Sequence, residues 1–175
     1  MPTTYKIDPA HSTAHFVIRH MMITNVRGSF TGLQGTVTFD PANPGASSVD
    51  VIIDANTLNT GDVTRDGHVK SEEFLDVAKY PAITFKSKSV VSGGDGLSVT
   101  GDLAIHGVTK VVILHVEDPS DEQKDPWGNL RIGAAGSTKI KRSDFGLTWN
   151  AALETGGIML GDDLKIELDV SLIKS

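Results

Sequence analysis

The chain has 175 residues, of which 39% are apolar and 22% are charged, so we expect one folded domain over residues 1–175 and no extensive disorder. Its net charge of −6 argues against nucleic acid or an anionic membrane as a partner, because phosphate binding requires a basic face. The absence of cysteine excludes disulfides, thiolate metal sites and cysteine nucleophiles.

Residues 1–12 lack the basic and apolar regions of a signal peptide, and no apolar run reaches the length of about 18 residues that a membrane helix needs. We therefore expect a cytoplasmic protein without stable membrane insertion. If a leader has been removed from the chain, the expected location is the periplasm.

Most of the chain alternates apolar and polar residues, which is the pattern of half-buried β-strands. The alternating segments, in chain order, are 14–20, 35–39, 48–55, 83–87, 97–105, 110–117, 132–142 and 164–172. Turn residues separate them, as in the loop with two prolines at 40–45 and the glycine-rich turn at 92–96. The pattern predicts about eight antiparallel strands with one continuous apolar side.

Two segments break this alternation. Residues 64–79 carry apolar side chains at helical spacing after Phe74, and Ser71 is a candidate N-cap for a helix that Pro81 would end. Residues 149–160 surround the glycine pair at 156–157. We interpret both segments as lids at the ends of a barrel.

An all-β chain of this kind can hide its apolar side in a sandwich or in a closed barrel. The short connections favour an eight-stranded up-and-down antiparallel barrel with short helical segments at its ends. Eight strands leave an interior that holds either packed side chains or one slender ligand, and periodicity alone does not choose between them.

Five groups of residues resemble the motifs of the YceI-like family, in order and over almost the whole chain. They are YKIDPAHS at 5–12 with FVIRH at 16–20, VRGSF at 26–30, RDGHVKS at 65–71 with FLDV at 74–77 and YPAITF at 80–85, GDLAIHGVTK at 101–110, and RSDFG at 142–146. Val69 stands where leucine is frequent in the family.

The resemblance implies a lipocalin-like barrel with a long hydrophobic pore that binds a polyisoprenoid or a similar amphiphile. It also implies transport or storage of a polyprenyl phosphate or an isoprenoid quinone, without catalysis and without a cofactor. Because members of the family form dimers, a homodimer is expected, with Val17, Val111 and Ile113 as a candidate contact patch.

Most of the side chains that would contact the lipid come from the alternating segments and the two lids, and Phe30 and Phe145 come from the motifs at 26–30 and 142–146. These predicted ligand-binding residues are Phe16, Ile18, Phe30, Val37, Phe39, Val51, Ile53, Phe74, Ile83, Phe85, Val99, Leu103, Ile105, Leu114, Ile140, Phe145, Trp149 and Leu168. Arg65, His68 and Arg142 are candidates for head-group contacts. The alternative without a ligand is that the same apolar residues fill a solid core, which would make the protein an interaction module.

The polar residues offer two other interpretations. Six histidines suggest a metal site, but His15 and His20 face opposite sides of a strand, so we predict none. His68 with Asp66 or Asp144 could form an acid–base pair, which would make the protein an enzyme acting on an amphiphile. No nucleophile with its base can be identified from spacing, so we favour structural or head-group roles.

Overall fold

A computed structural model describes residues 2–151, 153 and 159–175 of the chain. The described residues form eleven strands and one α-helix, joined by turns and short 3-10 helices. The elements are β1 (Thr3–Ile7), β2 (Thr13–His20), β3 (Thr24–Phe30), β4 (Leu33–Phe39), β5 (Ser48–Asp54), α1 (Val63–Lys70), β6 (Ala82–Gly93), β7 (Gly96–Ile105), β8 (Val108–Val116), β9 (Gln123–Lys124), β10 (Leu130–Lys141) and β11 (Leu160–Lys174).

Eight of the described strands close into an antiparallel barrel, as the sequence predicts. Around the ring the order is β1, β4, β5, β6, β7, β8, β10 and β11. The long pairing of β10 with β11, from Arg131 opposite Ile173 to Lys141 opposite Asp163, closes the ring. Closure leaves β4 to β8 with paired neighbours on both sides.

The β2–β3 hairpin extends the wall at one place. One edge of β11 pairs with β10, and the other edge is shared: β1 pairs near Leu172, and β2 pairs between Leu160 and Asp169. Strand β3 pairs with the far side of β2 and bridges to the β5–β6 connection through Ser29 and Asn59. Neither β1 nor β3 is among the alternating segments of the sequence.

Antiparallel order brings four connections to the same end of the barrel, which we call the helix end. They are the β2–β3 turn, the β5–β6 connection that contains α1, the β7–β8 turn and the β10–β11 connection. The opposite end carries the β6–β7 turn. Most of the polar residues that the sequence suggests for head-group contacts or acid–base chemistry belong to connections at the helix end.

Helix α1 begins and ends earlier than the sequence predicts. Asp62 caps its first turn, because its carboxylate accepts a hydrogen bond from the Arg65 backbone N–H at 3.0 Å. Ser71 ends the helix, with its N–H donating to the His68 carbonyl at 3.1 Å, so its predicted role as an N-cap is wrong. Residues 71–79 form consecutive turns in place of a second helical stretch. No helix among the described residues is long and apolar enough to cross a membrane.

Buried core residues surround an internal cavity. Leu33, Val99, Phe145 and Leu172 are the largest side chains that are almost completely buried. The alternating burial along β7 confirms the inward face predicted for segment 97–105.

Candidate functional site

The barrel encloses a cavity of about 620 Å³, lined mainly by aliphatic and aromatic side chains. This volume lies within the range of roughly 300–1,000 Å³ found for small-molecule sites. The cavity reaches solvent at the helix end, where the exposed residues Thr64 and Arg65 are part of its lining. A second cavity of about 80 Å³ lies deeper in the barrel and shares Val51, Leu114 and Leu168 as walls with the first.

Three aromatic rings meet at the mouth of the large cavity. The plane of the His68 ring is nearly perpendicular to those of Trp149 and Phe74, with centroids 4.9 Å and 5.0 Å away, and the Phe74 and Trp149 rings are 5.2 Å apart. His68 Nε2 also hydrogen-bonds to the Glu73 carboxylate. The cluster places one polar imidazole ring against two apolar aromatic rings at the entrance.

Arg65 lies beside this cluster on α1. Its Nε donates to Thr60 Oγ1 at 2.9 Å, and its Nη2 donates to the Thr60 carbonyl at 2.7 Å. Asp66 accepts from the Thr60 N–H at 2.8 Å, and the hydrogen bonds from Thr60 lower the pKa of Asp66 below its ordinary value. Thr60 therefore anchors the start of the helix to the mouth.

Arg142 is buried next to the cavity, with 5% of its surface exposed. Its guanidinium donates to the backbone carbonyls of Leu147 at 2.7 Å, Trp149 at 2.8 Å and Gly161 at 2.8 Å. Burial lowers the pKa of Arg142 below its ordinary value. The side chain joins both flanks of the β10–β11 connection and holds the Trp149 backbone at the mouth.

The sequence model of the YceI-like domain matches residues 5–172. The chain belongs to the YceI-like family.

Relatives and solved structures agree with that assignment. The protein YceI of Salmonella newport is 43% identical over 146 residues, which cover 82% of this chain and 76% of that protein. The crystal structure of Burkholderia cenocepacia BcnA superposes with a TM-score of 0.81 at 26% identity, covering 94% of this chain and 98% of that one. A polyisoprenoid-binding domain from Saccharophagus degradans, implicated in plant cell wall breakdown, has a TM-score of 0.69 at 20% identity and covers 99% of both chains, a likeness of fold.

Most of the predicted ligand-binding residues of this YceI-like chain line the large cavity. They are Phe16, Ile18, Phe30, Val51, Ile53, Phe74, Ile83, Phe85, Leu103, Ile105, Leu114, Trp149 and Leu168. Arg65, His68 and Arg142 are also part of this lining. The glycine pair of the second predicted lid lies outside the described residues.

Five predicted residues lie elsewhere. Val37, Phe39 and Val99 line the small, deep cavity. Ile140 and Phe145 pack into the solid core, Phe145 from the short 3-10 helix that follows β10. Alternation gives the side of a strand that faces inward, but not the depth of a residue along the barrel axis, and this explains the four differences on strands. Phe145 differs because it lies on a 3-10 helix, where strand alternation does not apply.

Sequence reasoning also missed lining residues. Val112, Leu164 and Ile166 share the inward faces of predicted strands, so alternation could have identified them. Leu147 and Met159 lie in irregular segments and carry no periodic signal.

The structure separates His68 from Asp66, the first of its two predicted acid–base partners. Residues two positions apart on a helix point in different directions, so Asp66 contacts Thr60 while His68 contacts Glu73. The described residues contain no group of three or more His, Asp or Glu side chains that could hold a metal ion.

Proposed function

We propose that this protein binds a long apolar lipid of the polyisoprenoid type in its barrel cavity and carries or stores it without chemical change. The observation that carries the proposal is the cavity of about 620 Å³ with its apolar lining. The polyisoprenoid-binding domain with the same fold supports this class of ligand.

The shape of the interior favours a slender molecule. The two cavities share walls at Val51, Leu114 and Leu168, so a tail that passes this neck would extend from the mouth toward the deep end. Each Å² of apolar surface removed from water contributes about 25 cal/mol to binding. A prenyl tail needs no polar partner along its length, and the polar residues are concentrated at the mouth.

The mouth gives the head group of the lipid a place to bind. Arg65 uses Nε and Nη2 to hold Thr60, and the rest of its guanidinium remains beside the opening. A guanidinium pairs with phosphate and also donates to a quinone carbonyl. We propose a polyprenyl phosphate or an isoprenoid quinone as the ligand, with Arg65 and His68 contacting the head group. Arg65→Gln should weaken binding of the phosphate more than binding of the quinone.

We propose carriage over catalysis because His68 and Asp66 have separate partners. If His68→Ala retained lipid yet abolished a measurable turnover of that lipid, the enzymatic alternative would replace this proposal.

Native mass spectrometry of protein purified without detergent tests the binding function. We expect an added mass in the wild type, or its appearance after incubation with a polyprenyl phosphate or a quinone. Val51→Trp would obstruct the neck and reduce the fraction of protein that carries the added mass. Ile52→Trp, one residue along β5 and facing solvent, would leave that fraction unchanged. Val51→Phe offers a smaller obstruction if the tryptophan variant folds poorly. An apo spectrum after incubation with both lipids would overturn the proposal.

A homodimer remains a separate proposal. Val111 and Ile113 are exposed on β8, whereas Val17 is half-buried, so β8 carries the main part of the suggested patch. Light scattering of the wild type and of Val111→Ser with Ile113→Ser tests it: we expect a dimer that the double substitution dissociates.

A further inference from the structure

The β2–β3 hairpin ends in three consecutive large apolar residues, Met21, Met22 and Ile23, which we call the hairpin tip. Their exposed fractions are 39%, 60% and 68%. Single exposed apolar side chains are common on protein surfaces, but a contiguous group commonly marks a contact surface.

The backbone of the tip is unfavourable for these side chains. Met21 and Met22 have φ values of 52° and 63°, in the left-handed region that asparagine and glycine occupy in most tight hairpin turns. The Ile23 N–H donates to the His20 carbonyl at 3.1 Å and closes the turn. The chain thus holds two large apolar residues where smaller polar ones would fit with less strain, which suggests a functional role for them.

The hairpin is also basic in an acidic protein. Residues 9–39 contain no Asp or Glu, although the chain has 22 acidic residues. Glu167 of β11 lies near Arg27, whereas Arg19 lies beside the tip and donates to the Met22 carbonyl at 3.4 Å and to Asn25 Oδ1 at 3.3 Å. An apolar tip with a neighbouring cation is complementary to an anionic lipid surface. The net charge of the whole chain, which argued against such a surface, does not show this local distribution.

The tip lies next to the mouth of the cavity. The Met21 N–H donates to the Met159 carbonyl at 2.6 Å, and both His20 and Met159 line the cavity. A bilayer that receives the tip would therefore lie against the side of the mouth from which a lipid tail could enter.

We propose that the hairpin tip docks transiently on an anionic lipid bilayer and brings the cavity mouth to its surface. The docking itself is inferred from the apolar tip and the neighbouring Arg19, and its use in loading lipid depends on the proposed function. Docking can therefore be measured on vesicles that contain no polyisoprenoid, so that failure of docking and failure of lipid binding are separate results.

Flotation with vesicles of phosphatidylcholine, or of an equimolar mixture of phosphatidylcholine and phosphatidylglycerol, tests the proposal. We expect the wild type to float with the mixed vesicles and to be released by salt, since exposed charges are screened. Met22→Ser with Ile23→Ser should weaken partitioning by about tenfold or more, because the inserted apolar surface is lost. Val91→Ser changes an exposed apolar residue near the opposite end of the barrel and should have no effect.

The chain lacks cysteine, so Met22→Cys gives a single site for an environment-sensitive fluorophore. Its emission should rise and shift to the blue with mixed vesicles, whereas the same label at Val91→Cys should not respond. This readout holds even if the serine variants fold poorly.

Three results would overturn the proposal. They are a wild type that does not bind mixed vesicles, a label at position 22 that responds no more than the label at position 91, and a tip substitution that leaves vesicle binding intact while converting a dimer into a monomer. The last result would make the tip a contact between two copies of the chain.

Discussion

Gly28→Ala should push an aromatic ring into the cavity. Gly28 on β3 faces Phe16 on β2, and the Phe16 ring covers the glycine. A Cβ at position 28 would lie 2.2 Å from Phe16 Cζ, whereas ordinary contact begins at 3.4 Å, so the ring must retreat by about 1.2 Å. Phe16 lines the large cavity, and the open space lies on that side.

The energetic effects of this change can be separated. Displacing the ring from its rotamer costs about 0.5–1.5 kcal/mol, and replacing glycine in a strand returns about 0.5–1 kcal/mol. The free energy of unfolding should therefore change by only about 1 kcal/mol. The ring would take the space of one or two methylene groups of a lipid tail, each worth about 0.8 kcal/mol, so lipid affinity should fall about four- to fifteenfold.

Titration with a polyprenyl phosphate, followed by native mass spectrometry, measures the affinity, and urea denaturation measures the stability. Gly67→Ala is the matched control, because a Cβ there meets nothing within 4 Å. It lies inside α1 and should raise stability by about 1 kcal/mol without changing lipid affinity. If Gly28→Ala bound lipid as tightly as the control, the ring would not have entered the tail's path and the reasoning would fail.

Three further outcomes are expected. Arg131 donates to Asp8 at 2.7 Å and holds the pKa of Asp8 at about 2, below the ordinary 3.8. The stability that the ionised Asp8 carboxylate gives the fold is therefore complete above pH 3.8 and is lost as the pH falls toward 2. In acid denaturation, the free energy of unfolding of Arg131→Gln should fall less steeply over that interval than that of the wild type. Arg142→Gln should lower the free energy of unfolding in urea by about 3 kcal/mol, because several carbonyls lose a charged donor, and a loss below about 1 kcal/mol would contradict this. Met21→Asn with Met22→Gly should raise the thermal midpoint, by relieving about 1 kcal/mol or more of backbone strain, and should weaken flotation with anionic vesicles.

The barrel could be predicted because its strands alternate clearly and are connected locally. Strand β3 is missing from the predicted strands because Gly28, at one of its inward positions, has no side chain to continue the alternation. Strand β1 is only five residues long, although Tyr5 and Ile7 alternate inward along it. The predicted helix lies too far along the chain because Ser71 and Asp62 are both good capping residues, and only Asp62 serves as the N-cap in the tertiary fold.

The cavity could not be predicted from alternation, because a filled barrel and a hollow one have the same inward faces. The difference depends on depth and on tertiary packing. Ile140 lies on an inward face and still packs against other core residues, whereas Leu103 borders empty space. Only the family resemblance indicated a hollow interior from the sequence.

The chemistry of the entrance depends on connections more than on strands. His68 and Trp149 come from different connections at the helix end, and Arg142 fixes the backbone of one of them. Loops of this kind can change without altering the barrel. The tail-binding interior is therefore the part of the site that follows from the fold, and selection among head groups should follow from these few mouth residues.

Transferring residues 60–75 from a relative with a different lipid should change head-group preference while leaving tail-length preference unchanged. If tail length changed instead, the division between wall and mouth would be wrong.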